Sequence, residues 1–384
     1  QELLAAQEAG IPFQIISLRR PTEKLVHSLH RQITAPVHYL PESLHSEPRR
    51  VLHAVSRLPA SLRKQFLRDL RRDLSLNRVR RLGQALVLAR ELPPGVRLLY
   101  AHFLHTPATV AHYTSLLTGV PFAISAHAKD IYTSPQWDIV QKIQACQWLV
   151  TCTQANVDHL QALAGPSLQS RINRVYHGLD TRRFPPGSRV FSAASGRDPA
   201  RPVRIVSMGR AVEKKGYEDV LQALALIPPA LSWTFTHLGG GALLPALQEQ
   251  AQRLGIAGRI TWRGAQTQND VLTALREGDV FILASKMTSN GDRDGLPNVL
   301  MEAMSQQAAC LSTTVSAIPE LIEHDRNGLL APPGNPQAMA AALQRLIEDA
   351  GLRRRLAVAG SLTVQRLFSF QTQVEGILSR LRTA

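Results

Sequence analysis

The stretch Val203-Arg204-Ile205-Val206-Ser207-Met208-Gly209-Arg210, with Glu213-Lys214-Lys215-Gly216 just beyond it, decides the fold class. A short apolar run ends in a glycine and a charged loop, and a helical pattern follows at 216–226. Buried strand, tight turn and helix together form the repeating unit of a parallel α/β sheet. The unit then recurs. Strand Leu231–Leu238 precedes helix 242–254, strand Arg259–Arg263 precedes helix 268–276, and strand Asp279–Ala284 precedes helix 297–307. Strand Ala309–Thr314, a short helix at 318–323 and strand Leu329–Ala331 complete a doubly wound domain. Helices at 336–348, 351–363 and 369–382 end the chain.

The first half alternates less regularly. Candidate strands are Pro12–Leu18, Val96–His102, Pro121–Ala126, Trp148–Thr153 and Ile172–Tyr176, with helical stretches near 61–71, 107–118, 136–147 and 155–163. A helix over Gln1–Ala9, stopped at Gly10, precedes the first of these strands. A doubly wound domain ordinarily opens with a strand and a ligand-binding loop, so the first strand of the N-terminal domain is expected to be missing. Pro185-Pro186-Gly187-Ser188 and the Ser-, Ala-, Gly- and Pro-rich run from Ser192 to Pro202 read as a linker. The expected organisation is an N-terminal domain over 1–185, a linker over 186–202, a C-terminal domain over 203–350 and closing helices over 351–384. The last helix, with Leu378, is expected to pack back on the N-terminal domain.

At 384 residues, 44% of them hydrophobic, the chain exceeds what one core uses, which favours two domains. Cys146, Cys152 and Cys310 have neither disulfide-framework nor metal-site spacing, so buried thiols in a reducing compartment are expected. No apolar run reaches the roughly 18 residues of a transmembrane helix. The 44 Lys and Arg against 29 Asp and Glu leave a formal charge of +15, which attracts polyanions. Arg63, Lys64, Arg68, Arg71, Arg72, Arg78, Arg80 and Arg81 are interleaved with Leu62, Phe66, Leu67, Leu70, Leu74 and Leu76. Region 63–81 reads either as a basic amphipathic helix on an anionic membrane surface or as an ordinary solvated helix face. No zinc finger, helix-turn-helix or aromatic-laced basic strand accompanies it, so no nucleic acid partner is expected.

In doubly wound sheets, ligands bind beyond the carboxyl ends of the strands, where loops meet helix N-termini. Gly209 lets the chain turn tightly there, and Arg210 and Lys215 either clamp a diphosphate or are merely solvated charges. Gly239-Gly240-Gly241, after His237-Leu238, either brings backbone N–H groups to an anion or is a plain flexible loop. Asp292-Arg293-Asp294-Gly295-Leu296-Pro297-Asn298 leads into Val299-Leu300-Met301-Glu302. Pro297 suits a first helical turn, and Asp294 and Glu302 could grip hydroxyls of a sugar and a ribose. Glu302 lies among Val299, Leu300, Ala303 and Met304, where a carboxylate usually has a specific partner. His127, at the end of strand 121–126, either meets a phosphate or reacting sugar or makes one loop hydrogen bond.

Together these segments resemble the retaining glycosyltransferases of family 4, which have the GT-B fold, and among them bacterial polysaccharide and lipopolysaccharide enzymes. The resemblance rests on Gly209 to Tyr217, on the acidic pair of Asp294 and Glu302 with the residues between them, on Ser312 to Ile322, on Asn327-Gly328-Leu329-Leu330 and on Tyr176 to Phe184. It implies an α/β fold of two Rossmann-like domains facing each other across a cleft. It implies that Arg210 and Lys215 neutralise the donor diphosphate, that Glu302 binds the ribose and that Asp294 lies near the sugar hydroxyls. Gly209, Gly240, Gly295, Leu296, Pro297 and Asn298 would run close to the donor, Arg263 would border the base, and His127 would approach the sugar. Asp294 stands where the family has glutamate, one methylene longer.

No metal or other cofactor is implied, because the nucleotide sugar is a substrate, and Asp292 and Asp294 are not read as a metal pair. The implied partners are a nucleotide-sugar donor and a saccharide or lipid-linked saccharide acceptor in cell-surface polysaccharide synthesis. The implied place is the cytoplasm, peripheral on the inner face of the membrane. The competing readings are a sugar-nucleotide epimerase of the same fold and a non-catalytic nucleotide- or carbohydrate-binding module.

Overall fold

The structure, a computed structural model, describes residues 1–21, 30–55, 59–185 and 189–383. Pro186, Gly187 and Ser188, part of the expected linker, lie outside the described residues. The strands are β1 Ile15–Ser17, β2 Val37–Tyr39, β3 Leu99–His102, β4 Phe122–Ala126, β5 Leu149–Thr151, β6 Ile172–Arg174, β7 Val203–Met208, β8 Trp233–Leu238, β9 Ile260–Trp262, β10 Val280–Ile282, β11 Ala309–Thr313 and β12 Leu329–Ala331. The chain divides into two compact units. One comprises Gln1–Thr151, Asn156–Val175 and Val374–Ala384; the other comprises Cys152–Ala155 and Tyr176–Gln373.

In the second unit six strands pair in the order β12-β11-β10-β7-β8-β9, and every pairing is parallel. That is the doubly wound order, with the chain reversing direction across the sheet beside β7. β10 and β11 are buried at every residue, because helices cover both faces. Continuous apolar strands of this kind were what the sequence pattern detected.

Residues 189–202 belong to this unit and are fastened to it by two arginines. Arg189 donates to the carbonyls of Leu275 (3.2 Å), Gln306 (3.1 Å) and Gly278. Arg353 donates to those of Leu346 (2.6 Å), Ile347 (3.0 Å), Ser192 (3.3 Å) and Ala194. A guanidinium carries five donors in a fixed fork, so it can satisfy several orphan carbonyls at once.

The first unit holds a four-stranded parallel sheet, β3-β4-β5-β6, and a separate parallel pair, β1-β2. The strand expected over Pro12–Leu18 is confined to β1, and its partner β2 was not foreseen. β2 has three residues and an exposed Val37, so no apolar run announces it. The closing helix Phe370–Arg382 brings Ile377 against Ala123, Trp148, Val150 and Val175 of this unit.

Region 63–81 is two helices, Ala60–Arg72 and Leu76–Glu91. Ser75 accepts from Arg78 N and starts the second one, which is why the chain breaks there. Arg78 is buried, paired with Asp73 at 2.9 Å and Asp138 at 3.3 Å, and lies over the Trp137 ring. It therefore drops out of the basic face that its sequence position suggests. Among the described residues no helix is long and apolar enough to cross a membrane.

Candidate functional site

Candidates in the second unit gather beyond β7 and β10, on either side of the point where strand order reverses. Gly209 directly follows β7, and its N–H donates to Leu238 O at 2.9 Å. The glycine loop beyond β8 lies directly against this turn, with Ala211 N donating to Gly240 O at 2.8 Å. Gly239 has φ 141°, and a Cβ there would stand 2.1 Å from Gly209 O; one on Gly241 would stand 2.5 Å from Ala211 O. These two positions need glycine. Gly240, the candidate from sequence, faces open space, with nothing within 4 Å of a Cβ.

Lys215 Nζ pairs with Asp294 Oδ2 at 2.8 Å, and Lys214 pairs with Asp292 at 3.1 Å and Asp294 at 3.8 Å. Asp294 also accepts from Ser285 Oγ, just beyond β10, at 3.1 Å. Thus two ammoniums from the β7 loop and two carboxylates from the β10 loop tie the loops together through charge-assisted contacts. Arg210 is exposed, and its side chain makes no hydrogen bond or ion pair among the described residues; its carbonyl accepts from Val212 N at 2.9 Å.

Helix Asn298–Ser305 begins one residue later than expected, with Pro297 preceding it and no side-chain cap. Such a difference is within ordinary fraying of helix ends. Gly295 O accepts from Ala317 N at 3.3 Å, Leu296 packs on the core, Pro297 is buried and Asn298 is exposed. Glu302 is half-buried in the same helix, and its carboxylate makes no hydrogen bond or ion pair among the described residues. Burial pushes its carboxyl up to about 7, against the pull of the Arg183 guanidinium. A carboxylate with unused acceptor capacity and a raised pKa is the kind of group that functional sites keep.

Arg263 follows β9; its side chain is exposed and its N–H donates to His237 O at 2.9 Å. His237 is fully buried with its ring 4.4 Å from that of Tyr217, and burial pushes it down to about 4, so it is neutral. His127 belongs to the first unit, at the end of β4, where its N–H donates to Asp130 at 3.0 Å. Ser285, Lys214 and Arg183 were not singled out from sequence. Ser285 is the first polar residue after the apolar run Val280–Ala284, a signal that strand ends supply.

Residues 202–349 match the family model described as Glycosyl transferases group 1. The chain is 36% identical over 147 residues to the amylovoran biosynthesis glycosyltransferase AmsK of Erwinia amylovora, covering 38% of this chain and 36% of that one. It is 31% identical over 183 residues to the lipopolysaccharide core biosynthesis glycosyltransferase LpsE of Rhizobium meliloti, covering 48% of this chain and 51% of that one. The chain thus spans about half the length or less of these curated relatives. A glycosyltransferase structure from Rickettsia africae aligns over 100% of this chain and 93% of its own, with a TM-score of 0.75 at 15% identity. The structure of Anabaena HepE with UDP aligns over 93% and 89%, with a TM-score of 0.67 at 18% identity. The fold is the two-unit Rossmann-like α/β architecture of GT-B proteins, and the chain is related to bacterial polysaccharide and lipopolysaccharide glycosyltransferases.

Proposed function

We propose that this chain is a retaining glycosyltransferase, moving a sugar from a nucleotide-sugar donor to a saccharide or lipid-linked saccharide acceptor. One observation carries the reading: Lys215 held by Asp294 at 2.8 Å where strand order reverses, beside unpaired Arg210. Breaking the anomeric bond puts charge on a diphosphate. Fixed cations there stabilise the transition state more than the ground state. Because Asp294 already orients Lys215, little ordering remains to be done when the donor binds.

Glu302 accepts from the ribose hydroxyls, Asp294 from a sugar hydroxyl, and Arg263 borders the base. Gly209, Gly295, Leu296, Pro297 and Asn298 line the donor's path, and His127 serves the sugar from its own unit. The acceptor hydroxyl attacks on the face from which the diphosphate leaves, and the departing phosphate oxygen takes its proton. Configuration is retained without the paired carboxylates of a hydrolase. Side chains carry the charge, so the reading calls for no metal, and transfer should be unaffected by EDTA.

A panel of nucleotide sugars screened for thermal stabilisation, then assayed for transfer to lipid extracts, identifies the donor. Lys215→Ala and Glu302→Ala should each lower transfer at least about tenfold with the fold intact. Unchanged turnover in both overturns the site assignment.

The acceptor side of the reading is an anionic membrane surface at the cytoplasmic face. Supporting it, Arg63, Lys64, Arg68, Arg71 and Arg72 are exposed along helix Ala60–Arg72, and Leu67, Leu74 and Leu76 are 48%, 85% and 89% exposed beside them. Each basic residue near such a surface contributes about 1 kcal/mol. Reversing Arg68, Arg71 and Arg72 to Glu should abolish co-sedimentation with anionic liposomes, and undiminished binding would sink the docking idea.

A further inference from the structure

Beneath the loop that carries Lys215, the core of the second unit keeps two polar rings where apolar ones would pack. Tyr217 opens the helix Tyr217–Ala225 and is 2% exposed, and His237, on β8, is 0% exposed. The two rings meet edge-on with centroids 4.4 Å apart, and His237 also meets Trp262 at 5.5 Å. Neither the Tyr217 hydroxyl nor either His237 ring nitrogen makes a hydrogen bond among the described residues. Ser207, the hydroxyl beside Tyr217, is committed elsewhere, donating to Ile282 O at 2.5 Å. Burial raises the Tyr217 pKa, so the phenol keeps its proton at neutral pH and has it to donate.

A buried hydroxyl without a partner lowers stability, and phenylalanine would fill the same space without that cost. Packing therefore does not account for the oxygen, whereas its position does. A Cβ built on Gly209 would stand 2.9 Å from Tyr217 Oη and 3.5 Å from Lys215 Cε. The hydroxyl and the Lys215 side chain thus converge on one glycine, the first from the core and the second from the loop. Gly209 is partly exposed, so the hydroxyl lies one glycine below the surface of the turn. A larger residue at that position would close the way between them.

We propose that the Tyr217 hydroxyl is a further donor to the distal phosphate of the nucleotide sugar, beside Lys215 and Arg210, reaching it past Gly209. The inference rests on the glycosyl-transfer reading and adds to it a group that meets the ligand from the core. A phosphate oxygen settled on the Gly209 turn gives the phenol the acceptor that the core does not. That oxygen is also where charge develops as the anomeric bond breaks, and a donor already fixed there needs no reordering at that moment. The phenol is neutral, so it adds a hydrogen bond without adding a cation for Asp294 to balance. His237 is neutral too, and its ring holds the phenol from the side.

Isothermal titration calorimetry of the full chain with UDP, GDP and ADP, and with the corresponding monophosphates, tests it. Tyr217→Phe should weaken the diphosphate that binds best by about tenfold, the worth of one hydrogen bond to a charged acceptor, and leave its monophosphate unchanged. The variant should melt no lower than the unaltered protein, since the oxygen it removes bonds nothing in the core. Unchanged diphosphate affinity, an equal loss for diphosphate and monophosphate, or a lowered melting temperature would each overturn the proposal. If the unaltered chain binds no nucleoside diphosphate, the transfer reading falls and this inference with it. A diphosphate that needs Lys215 but is indifferent to Tyr217 strikes this inference alone.

Discussion

Beyond β7 and β10 of the second unit the loops meet through side chains, Lys214 and Lys215 against Asp292 and Asp294, all partly exposed. Beyond β3 of the first unit the loop is held by its own main chain, tied to Asp130 and Lys142, which are 0% and 1% exposed. The first arrangement can exchange partners when a charged ligand arrives, since each ion still has access to water. The second cannot, because either buried ion, left alone, would carry its full desolvation penalty. Charge at one edge is therefore available for chemistry, whereas at the other it fixes a shape.

This contrast can be broken most directly by removing one cation from each edge. Lys142→Met should cost about 3–5 kcal/mol, since the carbonyls of Leu104 and His105 lose their donor and Asp138 loses a partner. Lys215→Ala should cost only about 1 kcal/mol while transfer falls. Equal losses in denaturant unfolding would remove the distinction.

The glycine loop sharpens it at the level of the backbone. Gly239→Ala should destabilise by more than about 2 kcal/mol, because both its φ and the close Gly209 carbonyl oppose a Cβ. Gly240→Ala should change stability by less than about 1 kcal/mol. A reversed order in thermal melts would mean that the loops do not cross as described.

The smallest effect is a pH dependence. On the proposed reading, ribose hydroxyls donate to an ionised Glu302, so donor affinity should fall as pH drops below about 7, the value to which burial raises this carboxyl. The unliganded protein should respond in the opposite sense. The stabilisation from a raised carboxyl pKa is fully present below the ordinary 4.5 and is lost as pH rises through about 7. Glu302→Gln should flatten both profiles in calorimetric titrations across pH 5.5–8.5, a window of roughly one and a half units either side. A pH profile unchanged by the substitution would assign the titration to another group.

How much was legible in the sequence differs between the two edges for the same reason. The second unit's strands lie buried between helices, so each reads as an apolar run, and its candidate site residues fall in the loops and helix beyond the ends of those runs. Gly209, Arg210, Lys215, Asp294 and Glu302 could thus be placed on loops or a helix without knowing what they touch. The strand β2, with three residues and no apolar run, left no such trace.

Local pattern by itself determined the α/β class, the parallel alternation and the polar residues at strand ends, because periodicity and turn chemistry act over a few neighbouring residues. Tertiary structure alone decided that Arg78 is buried with Asp73 and Asp138, that Arg189 and Arg353 fasten residues 189–202, and that Gly239, not Gly240, carries the close approach. It also decided that Asp130 accepts from Leu104 N and that Lys142 donates to the carbonyls of Leu104 and His105, which fixes the turn after β3. Each of these depends on partners up to 161 positions away in the chain, and on desolvation that only a closed core imposes.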